Sequence, residues 1–176
     1  LNLVKDGSGT QTLVGNQITY TGATTVNNGT LTLSNTSGFR SSIANNAAVV
    51  IDATAGDSWT LGSGNTLSGT GAWTKTGAGR ATFSNTTLTT SGQFFIQQGT
   101  LRNDNNASNW SGNTADIDIS AGAILDLYAD PVFADALSGS GFVQNNYGNA
   151  AGFSGATPFI EKLVIGVADG SSTLPA

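Results

Sequence analysis

The chain repeats itself at a spacing of 70 residues. Leu3-Val4-Lys5-Asp6-Gly7-Ser8-Gly9 returns as Trp73-Thr74-Lys75-Thr76-Gly77-Ala78-Gly79, and Gly29-Thr30-Leu31 returns as Gly99-Thr100-Leu101 (75 − 5 and 99 − 29 are both 70). Leu67-Ser68-Gly69-Thr70-Gly71 is matched by Leu137-Ser138-Gly139-Ser140-Gly141 at the same offset, and Gly22 by Gly92. Copies at about 1–71 and 72–141, with a partial third over 142–176, divide a single domain spanning 1–176. A sequence that echoes itself in this way points to an architecture built by stacking one unit on the next.

Inside a copy the pattern is short alternating strands between turns. Thr24-Thr25-Val26 leads through Asn27-Asn28-Gly29 into Thr30-Leu31-Thr32-Leu33. Alternation predicts Val26, Leu31 and Leu33 on one face with threonines opposite. The second copy reads Phe94-Phe95-Ile96, Gln97-Gln98-Gly99, Thr100-Leu101, which puts Phe94, Ile96 and Leu101 inward and Phe95 outward. Strands this short bury little by themselves, and no helical period is present. The expected fold is all-β, a single-stranded right-handed parallel β-helix. With roughly 20–25 residues per rung, the chain makes about seven or eight rungs and a rod on the order of 35 Å long. A β-sandwich also has closely spaced strands, but it gives no reason for the 70-residue echo.

Composition agrees. Apolar residues are 38% and charged residues 10%, both below the globular norm, so Ser, Thr, Asn and Gly must keep the surface soluble. There is no cysteine and hence no disulfide framework. Methionine is absent even at position 1, which suggests a segment of a larger protein with any export signal upstream of Leu1. No apolar run is long enough to span a bilayer. Net charge is −5 with six scattered cations, Lys5, Arg40, Lys75, Arg80, Arg102 and Lys162. That balance argues against nucleic acid and against strongly anionic polysaccharides, and favours neutral ligands.

The stretch Leu3-Val4-Lys5-Asp6-Gly7-Ser8-Gly9-Thr10-Gln11-Thr12-Leu13, followed by Thr19-Tyr20-Thr21-Gly22 and Asn27-Asn28-Gly29-Thr30-Leu31, resembles the autotransporter-associated β-strand repeat. The second copy departs from it at Arg80, Phe94 and Phe95. The resemblance implies a β-helix in a bacterial protein that is extracellular or on the cell surface. It does not imply one particular function, because related β-helices also accompany polysaccharide-degrading enzymes.

Catalytic vocabulary is thin, and no catalytic residue is expected. Histidine is absent and Glu161 is the only glutamate, which removes His-based nucleophilic and metal chemistry. Asp116-Ile117-Asp118 is the best carboxylate pair for glycosidase work, yet it reads as an outward strand face with Ile117 and Ile119 inward. Asp126, Asp130 and Asp135 offer the oxygen ligands calcium takes. No calcium-loop motif surrounds them, so they read as solvated turn residues and no cofactor is expected. The Asn pairs at 27–28, 45–46, 105–106 and 145–146 read as turn ladders.

Aromatics are the remaining binding vocabulary, since sugar rings stack on them. Trp73 aligns with Leu3 and Val143 and reads as core. Trp110 aligns with Arg40 and reads as exposed, and Phe95 replaces the outward Thr25. Trp110, Phe95 and Tyr128, with Tyr20 and Trp59, form the candidate carbohydrate-binding set, although Trp59 also alternates with the core residue Leu61. Two functions follow. The first is a non-catalytic module of a secreted polysaccharide-degrading enzyme, binding a neutral plant glycan such as xylan or β-glucan and tethered to other domains. The second is a structural stalk of an autotransporter passenger.

Overall fold

The computed structural model describes residues 1–56, 58–62, 64–104, 109–128, 130–146 and 162–168. The described residues form strands and turns only, and no helix among them is long and apolar enough to cross a membrane.

The chain winds past three sheets in turn. The first holds β1 (Leu3–Lys5), β3 (Thr24–Val26), β5 (Ile43–Asn45), β8 (Thr66–Gly69) and β11 (Thr87–Thr90). The second holds seven strands: β2 (Thr10–Val14), β4 (Thr30–Ser34), β6 (Ala48–Asp52), β9 (Ala72–Thr76), β12 (Phe94–Ile96), β14 (Ile117–Ile119) and β17 (Leu137–Gly139). The third holds β7 (Ser58–Gly62), β10 (Arg80–Ser84), β13 (Thr100–Asn103), β15 (Ile124–Asp126) and β18 (Phe142–Gln144). A two-stranded sheet of β16 (Val132–Ala134) and β19 (Leu163–Ile165) completes the fold. Pairing is parallel throughout, and neighbours within a sheet come from successive turns. This is a parallel β-solenoid.

Seven strands on the second sheet mean six steps along the axis, or about 29 Å at the usual strand spacing. The expectation of seven or eight rungs is therefore corrected to about six turns. Most turns are as short as expected: Thr30 pairs with Ala48 and Ala48 with Ala72. The last step is longer, because Val132 pairs with Leu163, 31 residues on.

The core is a set of columns running through the stack. Leu31, Val49, Trp73, Phe94, Ile117 and Leu137 are register partners in succession and are all buried. Trp73 and Phe94 stack at 6.1 Å with rings 5° from parallel. Val26, Leu33, Ile96 and Leu101 face inward as the alternation predicts. A parallel sheet built this way ties each inward side chain to identical positions above and below, so the apolar stripe is continuous although each strand is short.

The sequence repeat and the turn are out of phase. Leu3, Trp73 and Val143 open the three copies, and they stand on β1, β9 and β18, one on each of the three sheets. A copy therefore makes three turns and advances by one further sheet.

Candidate functional site

Lys75 lies where a core side chain belongs. On β9 the alternation runs Trp73 in, Thr74 out, Lys75 in, and the register places Lys75 between Ile51 below and Ile96 above. Lys75 is fully buried. Its ammonium donates to the carbonyls of Thr76 at 2.7 Å, Gly77 at 2.8 Å and Gln98 at 3.1 Å, the last on the following turn. Burial pushes its ionisation down to about 8, while the Asp52 carboxylate pulls the other way. Lys5, 70 residues earlier, donates to the carbonyls of Gly7 and Asn28, the latter at 2.9 Å.

The surrounding backbone repeats as closely. Asn27 and Gln97 amides donate to the carbonyls of Lys5 and Lys75 at 2.9 Å each. Thr30 and Thr100 amides reach the carbonyls of Gly9 and Gly79 at 3.2 Å each. Gly29 and Gly99 sit above these turns with φ of 67° and 64°. A Cβ on either would stand 2.3 Å from the carbonyl oxygen of Gly9 or Gly79, so neither space nor backbone admits another residue. Each unit is a lysine clamp: one ammonium ties the turn it starts to the turn above, and a glycine lets them touch. Reading Lys5 and Lys75 as scattered surface cations missed this. The signal available was the inward parity of Lys75 and the identical Lys-x-Gly-x-Gly spacing in both copies.

The candidate aromatics are not brought together. Trp110 is 1% exposed and packs on Phe83 at 5.8 Å, which corrects its reading as a surface residue. The error lies in the alignment. Phe39 amide donates to Thr36 carbonyl at 2.8 Å, and Asn113 amide to Trp110 carbonyl at 2.9 Å. The two turns match at an offset of 74 rather than 70 (110 − 36), and Ser41 and Ala115, then Ile43 and Ile117, continue the match with buried side chains. Four residues are inserted between Arg102 and Trp110, so the counterpart of Trp110 is the buried Thr36, not the exposed Arg40.

Phe95 does point outward, half-buried in a row with Thr74 and Asp118 on the second sheet. Tyr128 follows β15 of the third sheet, its ring 4.1 Å from the Arg102 guanidinium. Tyr20 precedes β3 of the first sheet, hydrogen-bonded to Thr24 at 2.7 Å and edge-on to Phe39 at 5.5 Å; burial pushes its phenol up. Trp59 lies on β7, opposite Ala81, and its side chain falls outside the described residues.

Ile117 and Ile119 are inward and Asp116 and Asp118 outward, as expected. Asp126 is not a solvated turn residue. It is fully buried, pairs with Arg102 at 2.8 Å and accepts the Asn146 amide at 3.1 Å. Asp135 instead accepts the Ala168 amide at 2.8 Å. Among the described residues, no three His, Cys, Asp or Glu side chains gather where a metal ion could sit. The Asn pairs do not share one ladder. Asn27-Asn28 and Asn45-Asn46 occupy the same corner on successive turns, with Asn45 turned inward onto the Ala72 carbonyl at 2.9 Å. Asn145-Asn146 stands at another corner, after β18, and Asn105-Asn106 lies outside the described residues.

A family model described as the passenger-associated transport repeat matches residues 3–37 and 74–102. The chain carries two passenger-associated transport repeats. Each matched stretch covers one lysine clamp and the turn it holds, and each ends just short of the place where the offset between copies changes. In physical terms the repeat is this two-turn clamped unit. Membership implies a secreted or cell-surface protein. No curated protein and no solved structure matches the chain.

Proposed function

We propose that the chain is a non-catalytic, structural segment of an autotransporter-type passenger, a stiff spacer within a larger exported protein. The observation carrying this reading is the lysine clamp, repeated with the same donors and acceptors in both copies. It ties turn to turn without presenting a reactive group to solvent. A wound stack of this kind resists extension because every turn is hydrogen-bonded to the next. Its winding is taken as right-handed, since parallel crossovers are overwhelmingly so.

The glycan-module reading drew on an exposed Trp110 and on a second copy that had lost regularity. Trp110 is buried, and the second copy follows the first closely once four inserted residues are recognised. The reading is tested on the parent reading frame and on display. A C-terminal membrane barrel in the frame, with the segment protease-accessible on intact cells, is the expected result. An adjoining glycosidase domain, together with retention of the chain on insoluble xylan or β-glucan, would overturn it.

A further inference from the structure

The outer side of the third sheet carries a groove of about 510 Å³ lined by Arg80, Thr100, Arg102, Ile124, Gln144 and Asn146. It crosses successive turns, because Arg80, Thr100 and Ile124 are register partners, as are Thr82, Arg102 and Asp126. We propose that this groove binds an acidic polysaccharide, with uronate carboxylates on Arg80 and Arg102 and sugar hydroxyls on Thr100, Gln144 and Asn146.

Three observations converge. First, the groove concentrates two of the chain's three arginines in a molecule of net charge −5. The Asp126 carboxylate that balances Arg102 is hidden beneath it, 0% exposed against 16% for the arginine side chain. A ligand in the groove therefore meets guanidinium, and this local field decides binding where net charge does not. Second, both arginines break the repeat. Their counterparts at the 70-residue offset are Thr10 and Thr32, while Thr100 keeps its counterpart Thr30. The same surface in the first copy is uncharged at those positions. Third, Arg102 is held for presentation. It uses Nε and Nη2 on one oxygen of Asp126, and the Tyr128 ring lies on its guanidinium at 4.1 Å. Tyr128 takes a φ of 55° to do so, a conformation that a tyrosine adopts only where its surroundings impose it.

The alternation of guanidinium with hydroxyl and amide groups selects a polymer bearing both carboxylates and hydroxyls, and Arg pairs with planar carboxylates through its fork of donors. The test is affinity electrophoresis of the whole chain at low ionic strength, in gels carrying polygalacturonate, neutral β-1,4-xylan or poly-L-glutamate. The expected result is retardation by polygalacturonate alone, weakened about tenfold in Arg80→Thr, the loss of one charge-assisted hydrogen bond. Ile124→Glu, which adds a like charge to the groove, should weaken it as much, and Arg40→Thr should leave it unchanged. No retardation by polygalacturonate, or equal weakening by Arg40→Thr, overturns the proposal. Stronger retardation by poly-L-glutamate assigns the groove to an acidic peptide and overturns it as well.

Discussion

The Lys75 ammonium donates to the carbonyl oxygen of Gln98, 3.1 Å away and one turn further along the solenoid. The same contact joins Lys5 to Asn28. Lys75→Met keeps most of the volume and leaves three buried carbonyls without their donor. It should lower the unfolding free energy by about 2 kcal/mol or more, read from urea denaturation with an unchanged slope. Lys5→Met, at a half-exposed site, should cost less.

The same lysine sets a pH dependence. Its ionisation in the folded chain is about 8, below the ordinary value of 10.5. Between those values the unfolded chain binds more protons than the folded one, so stability rises as pH climbs from 8 toward 10.5. Denaturation midpoints measured across that window should rise for the wild type, and Lys75→Met should remove the lysine's share of that rise.

Glycine substitutions separate backbone strain from the clamp. Gly99 and Gly122 both have positive φ, at 64° and 79°. A Cβ at Gly99 meets the Gly79 carbonyl at 2.3 Å, whereas one at Gly122 meets nothing within 4 Å. Gly122→Ala should cost about 1 kcal/mol. Gly99→Ala should cost clearly more, and equal losses would show that the clamp turns do not touch.

Trp110 and Phe95 should behave oppositely to the exposure expected from sequence alignment for the tryptophan. Trp110→Ala removes a core side chain and should cost about 3–5 kcal/mol. Phe95→Thr restores the residue of the first copy on an outward position and should stay within about 1 kcal/mol. Thermal melts of the two variants decide this directly.

The difference between them shows which part of the structure was legible in the sequence. Parity along a strand is local, so Leu31, Phe94, Ile96 and Ile117 could be placed inward and Phe95 outward from alternation alone. Trp110 could not, because four residues inserted beyond Arg102 shifted the alignment, and an offset says nothing past its last anchor. Lys75 was hidden by its chemistry: an ammonium is expected in water, and only the carbonyls of Gly77 and Gln98 explain its burial. The Arg80–Arg102 groove brings together residues from successive turns about 20 apart, so no local pattern announces it. The turn count suffered likewise, since the long step from Val132 to Leu163 has no counterpart in the repeat.

Arg102 and Asp126 offer a further check on the third sheet. Arg102→Ala leaves the Asp126 carboxylate buried and uncompensated and should cost about 3–5 kcal/mol. Combining it with Asp126→Asn should recover much of that loss, and denaturation of the single and double variants measures the coupling.

The stacking itself is tested most directly by spin-label distances, which the absence of cysteine makes simple. Thr12, Thr32, Val50, Thr74, Phe95, Asp118 and Ser138 are successive register partners on the outer side of the second sheet. With one label at Thr12 and the second moved from Phe95 to Asp118 to Ser138, the mean distance should grow by about 4.8 Å per step. Distances that fail to rise in that order, or that rise and fall as strands alternate between the two sheets of a sandwich, would contradict the solenoid.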